Sequence, residues 1–343
     1  MTGEDAVSRI LARLDELYAI GGGPGANRPH PGPGEHIAHE LAASWMRDAG
    51  LAVSVDGHGN LLGRAAERAD VWVGSHLDTV PQGGRFDGAL GVVAAIEAVE
   101  AAGRGSAVVF RGEEVGCIGS RALCSGAEAR PSAFLELHVE QGPVLATADA
   151  PLGVVTSIVG YARGELVFEG RAGHAGTTPM AGRDDALVAA AEAVLRIREA
   201  ASGIDGAVAT VGELSVEPGG SNVIPSRVRL SVDARAPDSE RLARLVAAVG
   251  FHPHQLTDPA PMSPELRVLL RAEIERRGLP AVELPSGAGH DAGILAAAGV
   301  PSAMLFVRSL NGGVSHSPDE LSSDEDVALA VEVLTATLLR VAR

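Results

Sequence analysis

Residues 71–103, VWVGSHLDTVPQGGRFDGALGVVAAIEAVEAAG, constrain the fold more than any other stretch of the chain. A short apolar strand, VWVGSH, runs straight into a loop of glycines, aspartates and a histidine. The loop leads into GALGVVAAIEAVEAAG, an Ala-rich run whose apolar residues go almost all the way round a helix. Such a helix is buried on most sides, and a strand that feeds it belongs to a sheet covered by helices. The alternation continues. SAVVFRGEE reads as a further strand, and LELHVEQG closes another. Upstream, LAVSVD and GNLLGRA read as strands behind two helices, over residues 4–19 and 36–49, the second closed by Gly50. The pattern predicts an α/β fold with both faces of its sheet covered.

At 343 residues the chain exceeds the size at which a single core stops growing, so two domains are expected. The pattern changes near residue 152. GVVTSIVGYARGELVFEG reads as one long strand, DALVAAAEAVLRIREAA as a helix, AVATVGELSVEP and SRVRLSVDARA as strands. DSERLARLVAAV is a helix capped by Asp238 or Ser239, and FHPHQL is a last strand. That order, βαββαβ, is the ferredoxin-like arrangement. The helix SPELRVLLRAEIERRG, the strand SAMLFV and a final helix over 322–343 then resume the first pattern. The expected domains are 1–151 with 260–343, and an insert over 152–259.

Composition narrows the partners. Only 3% of residues are aromatic, so the core is built from Ala, Val, Leu and Ile. A net charge of −16 disfavours nucleic acid and anionic membranes, because nothing offsets phosphate repulsion. No run of 18 apolar residues is present, and the acidic, amphipathic N-terminus is unlike a signal peptide. Two cysteines, Cys117 and Cys124, fit a reducing cytoplasm better than a disulfide framework.

The chemistry-bearing residues fall at strand ends. His76 and Asp78 are two apart and share a face if the strand persists; Asp78 can then hold the second ring nitrogen of a metal-bound His76. Asp87 follows in a glycine-flanked loop. Glu113 and Glu114 end the next strand; His138, Glu140 and Gln141 end another; His316 and Glu320 lie in GVSHSPDE. Open α/β sheets gather ligand sites outside the carboxyl ends of their strands. Histidine with carboxylate and no cysteine suits zinc, or manganese, cobalt or nickel. His76, Asp87, Glu114, His138 and His316 can supply two ions if one carboxylate bridges, and two ions about 3.5–4 Å apart would clamp a water against a substrate carbonyl.

These residues resemble the di-metal amidohydrolases of the aminoacylase and carboxypeptidase-G-type metallopeptidase family. Within it they are most similar to the branch of N-carbamoyl-L-amino-acid hydrolases, β-ureidopropionases and allantoate amidohydrolases. The motifs that carry the resemblance are ELHVEQGPVL, GHAGTTPM, GGSNVIPSRVRLSVDAR and SGAGHDA. The resemblance implies a mixed-sheet, metallopeptidase-like catalytic domain with an inserted lid and dimerisation domain, and two divalent ions, zinc foremost. It implies His76, Asp87, Glu114, His138 and His316 as ligands, with Asp87 bridging, Glu113 as general base and Asp78 behind the ligands. His174 would stabilise the oxyanion. Asn222 and Arg235 would hold the substrate carboxylate, and Gln141 and His290 would lie at the substrate. A cytoplasmic homodimer acting on a small carboxylate substrate is the implied assembly.

Where the branch usually continues its glutamate pair as Glu-Glu-Gly-Ser-Arg-Phe, this chain has EEVGCIGSRAL. That departure keeps a dipeptidase or N-acyl-amino-acid deacylase on the same scaffold as the alternative. A non-catalytic binding protein is the alternative from another class, and the complete ligand set argues against it.

Overall fold

The structure is a computed structural model that describes residues 3–126 and 129–343. The chain opens with α1 (Gly3–Tyr18) and α2 (Pro33–Asp48), whose leading proline suits a first helical turn. A hairpin, β1 (Ala52–Val55) and β2 (Leu61–Arg64), follows. Then come β3 (Glu67–His76), α3 (Ala89–Ala102), β4 (Arg104–Phe110), α4 (Ile118–Ser125), β5 (Ala133–Val139), α5 (Val144–Thr147) and β6 (Leu152–Ile158).

The next stretch forms its own unit. It contains β7 (Gly160–Glu169), β8 (Gly173–His174), α6 (Ala186–Ser202), β9 (Val208–Thr210), β10 (Leu214–Glu217), β11 (Val223–Ile224), β12 (Arg227–Ala236), α7 (Ser239–Val249) and β13 (Pro253–Thr257). After β14 (Ala260–Pro261) the first pattern returns with α8 (Pro264–Glu275), β15 (Val282–Ser286), α9 (Asp291–Ala297), β16 (Ser302–Val307) and α10 (Asp324–Val341). Two compact units result: residues up to 156 with 261–343, and residues 157–260.

The first unit is built on a mixed sheet in the order β1-β2-β4-β3-β5-β16-β6-β14, with β15 paired to β6. β4, β3, β5 and β16 run parallel; β1, β2 and β6 run antiparallel to their neighbours. Alternate residues of the central strands, among them Val71, Val73, Leu135, Leu137, Ala303 and Leu305, bury one face in a core shared with α1, α3, α8 and α10. The other face carries Phe110, Phe134 and Phe306, all fully buried, and α9 packs on β5 and β16. Arg13 Nη1 donates to Glu97 Oε1 at 2.8 Å and ties α1 to α3.

The long strand expected over 153–170 is two strands. β6 (Leu152–Ile158) pairs in the large sheet, where Leu305 faces Val154, and β7 from Gly160 pairs in the sheet of the second unit. Gly160 lies so close to Pro259 that a Cβ there would sit 2.4 Å from its ring. In the second unit the antiparallel order is β10-β12-β7-β13, with β9 also on β12. AVATVGELSVEP, expected as one strand, is split into β9 and β10. Ala162, Val232 and Ala234 pack under Ile197 of α6 and Leu242 and Leu245 of α7. Asp185 caps α6 by accepting from Leu187 N and Val188 N, and Asp238 rather than Ser239 caps α7. Among the described residues no helix is long and apolar enough to cross a membrane.

A glycine inside α3 marks how closely that helix lies on the sheet. A Cβ on Gly91 would stand 2.3 Å from the Leu137 carbonyl oxygen and 2.6 Å from Ser75 Cβ. Helix propensity alone favours alanine there, but overpacking dominates, so Gly91→Ala is expected to destabilise the protein by about 1–3 kcal/mol, read as a lower urea midpoint at unchanged slope.

Candidate metal centre

The parallel strands deliver their polar residues to one edge. β3 ends on His76, and β5 carries His138 one residue before its end. Asp87 stands just before α3, the glutamates Glu113 and Glu114 follow β4, and His316 lies in the loop after β16. Asp87 is the meeting point. Its Oδ1 lies 3.6 Å from His76 Nε2 and 3.2 Å from His138 Nε2; its Oδ2 lies 3.3 Å from His316 Nε2. Glu114 Oε2 is 3.4 Å from the same His316 nitrogen. Two groups with metal-ligand spacing result, His76–Asp87–His138 and Asp87–Glu114–His316, with Asp87 in both.

The hydrogen bonds around the rings fit a cation. His76 Nδ1 donates to the Asp78 carbonyl at 3.0 Å, and His138 Nδ1 to the Val139 carbonyl at 3.0 Å. That leaves the lone pair of each Nε2 facing a carboxylate. Both Nε2 atoms are buried with no hydrogen-bond partner. Buried acceptors in opposition need a positive charge between them. Without a metal ion, protons take that place. Burial disfavours a charged His76, yet Glu113, Asp78 and Asp87 outweigh it and hold its pKa well above the ordinary value. For His138, Asp87 overcomes burial in the same direction. His316, half exposed, is raised to about 9 by its contact with Asp87.

Neighbours fix His76 and Asp87. Gly88, at φ +62°, lies against the His76 ring, where a Cβ would meet Cε1 at 2.4 Å. Gln141 Nε2 donates to Asp87 Oδ2 at 3.0 Å and to Ser315 Oγ at 3.1 Å. Ser315 Oγ donates in turn to Glu320 Oε2, and Glu320 Oε1 accepts from the amides of Phe86 and Asp87 at 2.7 and 3.0 Å. Burial, with Asp87 nearby, pushes the Glu320 carboxyl up to about 7. Gln141 and His316 both hold left-handed backbones, at φ 57° and 54°. Non-glycine residues adopt that region at a cost, which the surrounding contacts offset.

Asp78 holds His76 Nδ1 mainly through its carbonyl. Its carboxylate is 3.4 Å from His76 Nδ1, but the hydrogen bond goes to its carbonyl. The carboxylate accepts instead from the amides of Glu113 and Glu114, at 3.0 and 3.1 Å. Glu113 is buried beside the metal groups, with Oε2 3.8 Å from His76 Nε2 and Oε1 3.7 Å from His290 Nδ1. Burial drives its carboxyl well above the ordinary value; His76 opposes, while Asp291, Asp87 and Glu114 add to the rise. A carboxylate that readily takes a proton is suited to general base work.

His290 packs edge-on to the His138 ring at 4.5 Å, and its Nε2 pairs with Ser286 Oγ at 2.9 Å. Burial holds its pKa well below the usual value, so it is neutral. Glu140 leaves the strand, which ends at Val139, and accepts from Val144 N and Leu145 N at the start of α5. The second unit carries the other three candidates. His174 Nδ1 accepts from the amides of Gly176 and Thr177 at 3.1 and 3.2 Å, so Nε2 bears its proton. Asn222 closes the same loop through its carbonyl, which accepts from Ala175 N. Arg235 donates to both oxygens of Asp233, at 2.9 and 3.2 Å. Sequence reasoning gave no role to Arg28, Glu35, Ser286 or Asp291, although the last two lie inside the SGAGHDA motif.

The arrangement is one that could serve a metal-dependent hydrolase: a carboxylate common to two groups with metal-ligand spacing, and a buried glutamate of raised pKa beside it. Residues 72–340 match the model of peptidase family M20/M25/M40, and the chain belongs to that family. It is 36% identical to an N-carbamoyl-L-amino acid amidohydrolase of Geobacillus stearothermophilus, over 98% of both chains. It is 33% identical to a probable allantoate deiminase of Oryza sativa subsp. japonica, over 92% of this chain and 85% of that one. Among solved structures, an amidase of the hydantoinase/carbamoylase family from Burkholderia multivorans superposes with a TM-score of 0.90 at 30% identity, covering 98% of each chain.

Because protons and cations compete for the same nitrogens, affinity for divalent metal is expected to fall as pH is lowered from about 8 to about 6, by up to roughly tenfold per pH unit for each proton displaced. The raised His316 places the apo protein on the protonated side throughout that window. Chelator competition at several pH values, with proton release followed by calorimetry, measures it.

Proposed function

We infer that this protein is an amidohydrolase that cleaves the carbamoyl or ureido C–N bond of an N-carbamoyl-L-amino acid or a related ureido acid such as allantoate. The observation that carries this reading is Asp87, shared by two groups of buried and half-buried ligands beside Glu113. Relatives named for carbamoyl-amino-acid and allantoate hydrolysis, aligned over nearly the whole chain, support the substrate class. His76, Asp87 and His138 would hold one ion and Asp87, Glu114 and His316 the other; oxygen and imidazole donors without sulfur favour zinc, with manganese, cobalt or nickel able to substitute.

Two ions held by these residues would supply a water of lowered pKa and positive charge for the substrate carbonyl. Glu113 would accept a proton from the attacking water and return it to the leaving nitrogen, and its raised pKa fits both transfers. Asp78 keeps Glu113 and Glu114 on fixed backbone positions so that one carboxylate serves the proton and its neighbour the ligand set. His174 donates through Nε2 to the developing oxyanion. Asn222 and Arg235 grip the α-carboxylate, Arg235 being oriented for it by Asp233. Gln141 and His290 border the substrate. For an N-carbamoyl amino acid the products are the amino acid, ammonia and carbon dioxide.

Residues 157–260, ferredoxin-like in strand order, are proposed as the lid and dimerisation domain, the remainder being the catalytic domain. Closure of the lid would complete the site and exclude water. Two free cysteines accord with a cytoplasmic setting.

The deciding experiment is ammonia release from a panel of N-carbamoyl amino acids and allantoate, against N-acetyl, N-formyl and dipeptide forms, after metal reconstitution. Turnover of the ureido substrates is expected. Turnover of acyl or dipeptide forms alone would assign the deacylase or dipeptidase reading that EEVGCIGSRAL keeps open. In the same assay Glu113→Gln is expected to retain metal and lose at least about a hundredfold in kcat, the scale of a lost general base. Arg235→Ala should raise KM for carboxylate-bearing substrates more than it lowers kcat, and an unchanged KM would remove its anchoring role.

A further inference from the structure

We propose that Arg28 and Glu35 are positioning residues of the metal centre, and that residues 26–35 form a strap that sets the two loops bearing Asp78 and Glu113. The inference rests on the metal-centre reading above and extends it to a segment whose Gly/Pro-rich sequence reads as a linker.

The strap is bonded to the first loop along its length. Ala26 and Gly83 exchange both backbone hydrogen bonds at 2.9 Å. Asn27 Oδ1 accepts from Gln82 N at 2.9 Å. Arg28 N donates to Thr79 Oγ1 at 2.9 Å, and its carbonyl accepts from Thr79 N at 3.2 Å. The Arg28 side chain is wholly buried. Its Nε donates to the Leu77 carbonyl and its Nη1 to the Leu17 carbonyl, each at 2.7 Å. A buried guanidinium is costly unless its surroundings answer its charge. Here no carboxylate bonds it, and the charges it feels are those of Asp78 and Asp87. Arg28 thus pins the turn on which Asp78 sits and places a fixed positive charge behind the acidic cluster.

At its other end the strap reaches the second loop. Glu35 is buried; Oε1 accepts from Gly112 N at 3.1 Å, and Oε2 lies 2.7 Å from His30 Nδ1 and 3.3 Å from Arg111 Nη1. Gly112 holds φ +60° with the His30 ring against it, where a Cβ would stand 2.9 Å from Cδ2. Three consecutive amides, those of Gly112, Glu113 and Glu114, are therefore each held by a carboxylate: the first by Glu35, the next two by Asp78. The bonds of Arg28 to the Leu77 carbonyl and the Thr79 amide, and of Glu35 to the Gly112 amide, all end beside Asp78 or Glu113. Displacing the strap turns the carboxylates of Glu113 and Glu114 away from Asp87 without removing any of them.

The test compares Glu35→Ala, Glu35→Gln and Arg28→Met with the parent protein. Cobalt(II) is the probe: stoichiometry and affinity by chelator competition, and its visible absorption as a report on ligand geometry. Unfolding in urea checks the fold, and kcat and KM are measured on whichever panel substrate the parent turns over. Glu35→Ala and Arg28→Met are expected to bind cobalt about 10–100-fold more weakly with an altered spectrum, and to lose kcat on that scale at little-changed KM. Glu35→Gln keeps an acceptor for Gly112 N and should restore affinity and spectrum to within about threefold of the parent. Parental cobalt affinity, spectrum and kcat in Glu35→Ala would overturn the proposal, as would Glu35→Gln being as impaired as Glu35→Ala. Should Arg28→Met fail to fold, the two Glu35 variants decide the matter. A parent that binds fewer than two cobalt ions would sink the metal-centre reading itself, and the strap with it, a result distinct from variants that match a two-cobalt parent.

Discussion

The structure depends on a single buried carboxylate. Asp87 faces three imidazole nitrogens, and two of these, His76 Nε2 and His138 Nε2, have spent their other nitrogen on backbone carbonyls. Such an arrangement is repulsive unless cations or protons fill it. It persists because each participant is fixed from behind: Asp87 by Gln141 and by Glu320 through its amide, His76 by Gly88, and the glutamate pair by Asp78. These contacts hold the candidate ligand atoms within reach of one another.

The sheet makes this affordable in geometry. Parallel neighbours end side by side, so residues far apart in sequence reach one edge without long excursions of the backbone. His76 and His138 stack at 5.8 Å because they end neighbouring parallel strands on one face. The less regular contributors, Gln141 and His316, come from loops and carry the strained backbones. Rigid strands thus set one ligand group, and bent loops complete the other.

Much of this was legible in the sequence. The five candidate ligands stood out because histidine and carboxylate at successive strand ends have few other uses, and the structure places them in two groups that share Asp87. The α/β alternation was legible because strand and helix periods differ. Other features left no such trace. The break between β6 and β7 falls at residue 159 inside a continuous alternating run, and only the approach of Pro259 to Gly160 marks it. β15 and α9 are too short for a periodic signal. Spacing put Asp78 beside the His76 ring, but it could not show that the bond runs through the Asp78 carbonyl, because the donors that occupy its carboxylate, the amides of residues 113 and 114, come from another strand's loop. Arg28 and Glu35 were hidden for the same reason: long-range hydrogen bonds to backbone have no local pattern.

Gly88 and Gly84 carry a last consequence. A Cβ at Gly88 would enter the His76 ring, and one at Gly84 would stand 2.2 Å from Glu320 Cδ. Neither glycine binds or reacts with anything, yet each occupies a place where the smallest chiral side chain would dislodge a partner of Asp87. Part of the inheritance of this centre is therefore written as missing atoms. At both ends of this loop the sequence is held by what a side chain would displace rather than by what a side chain does.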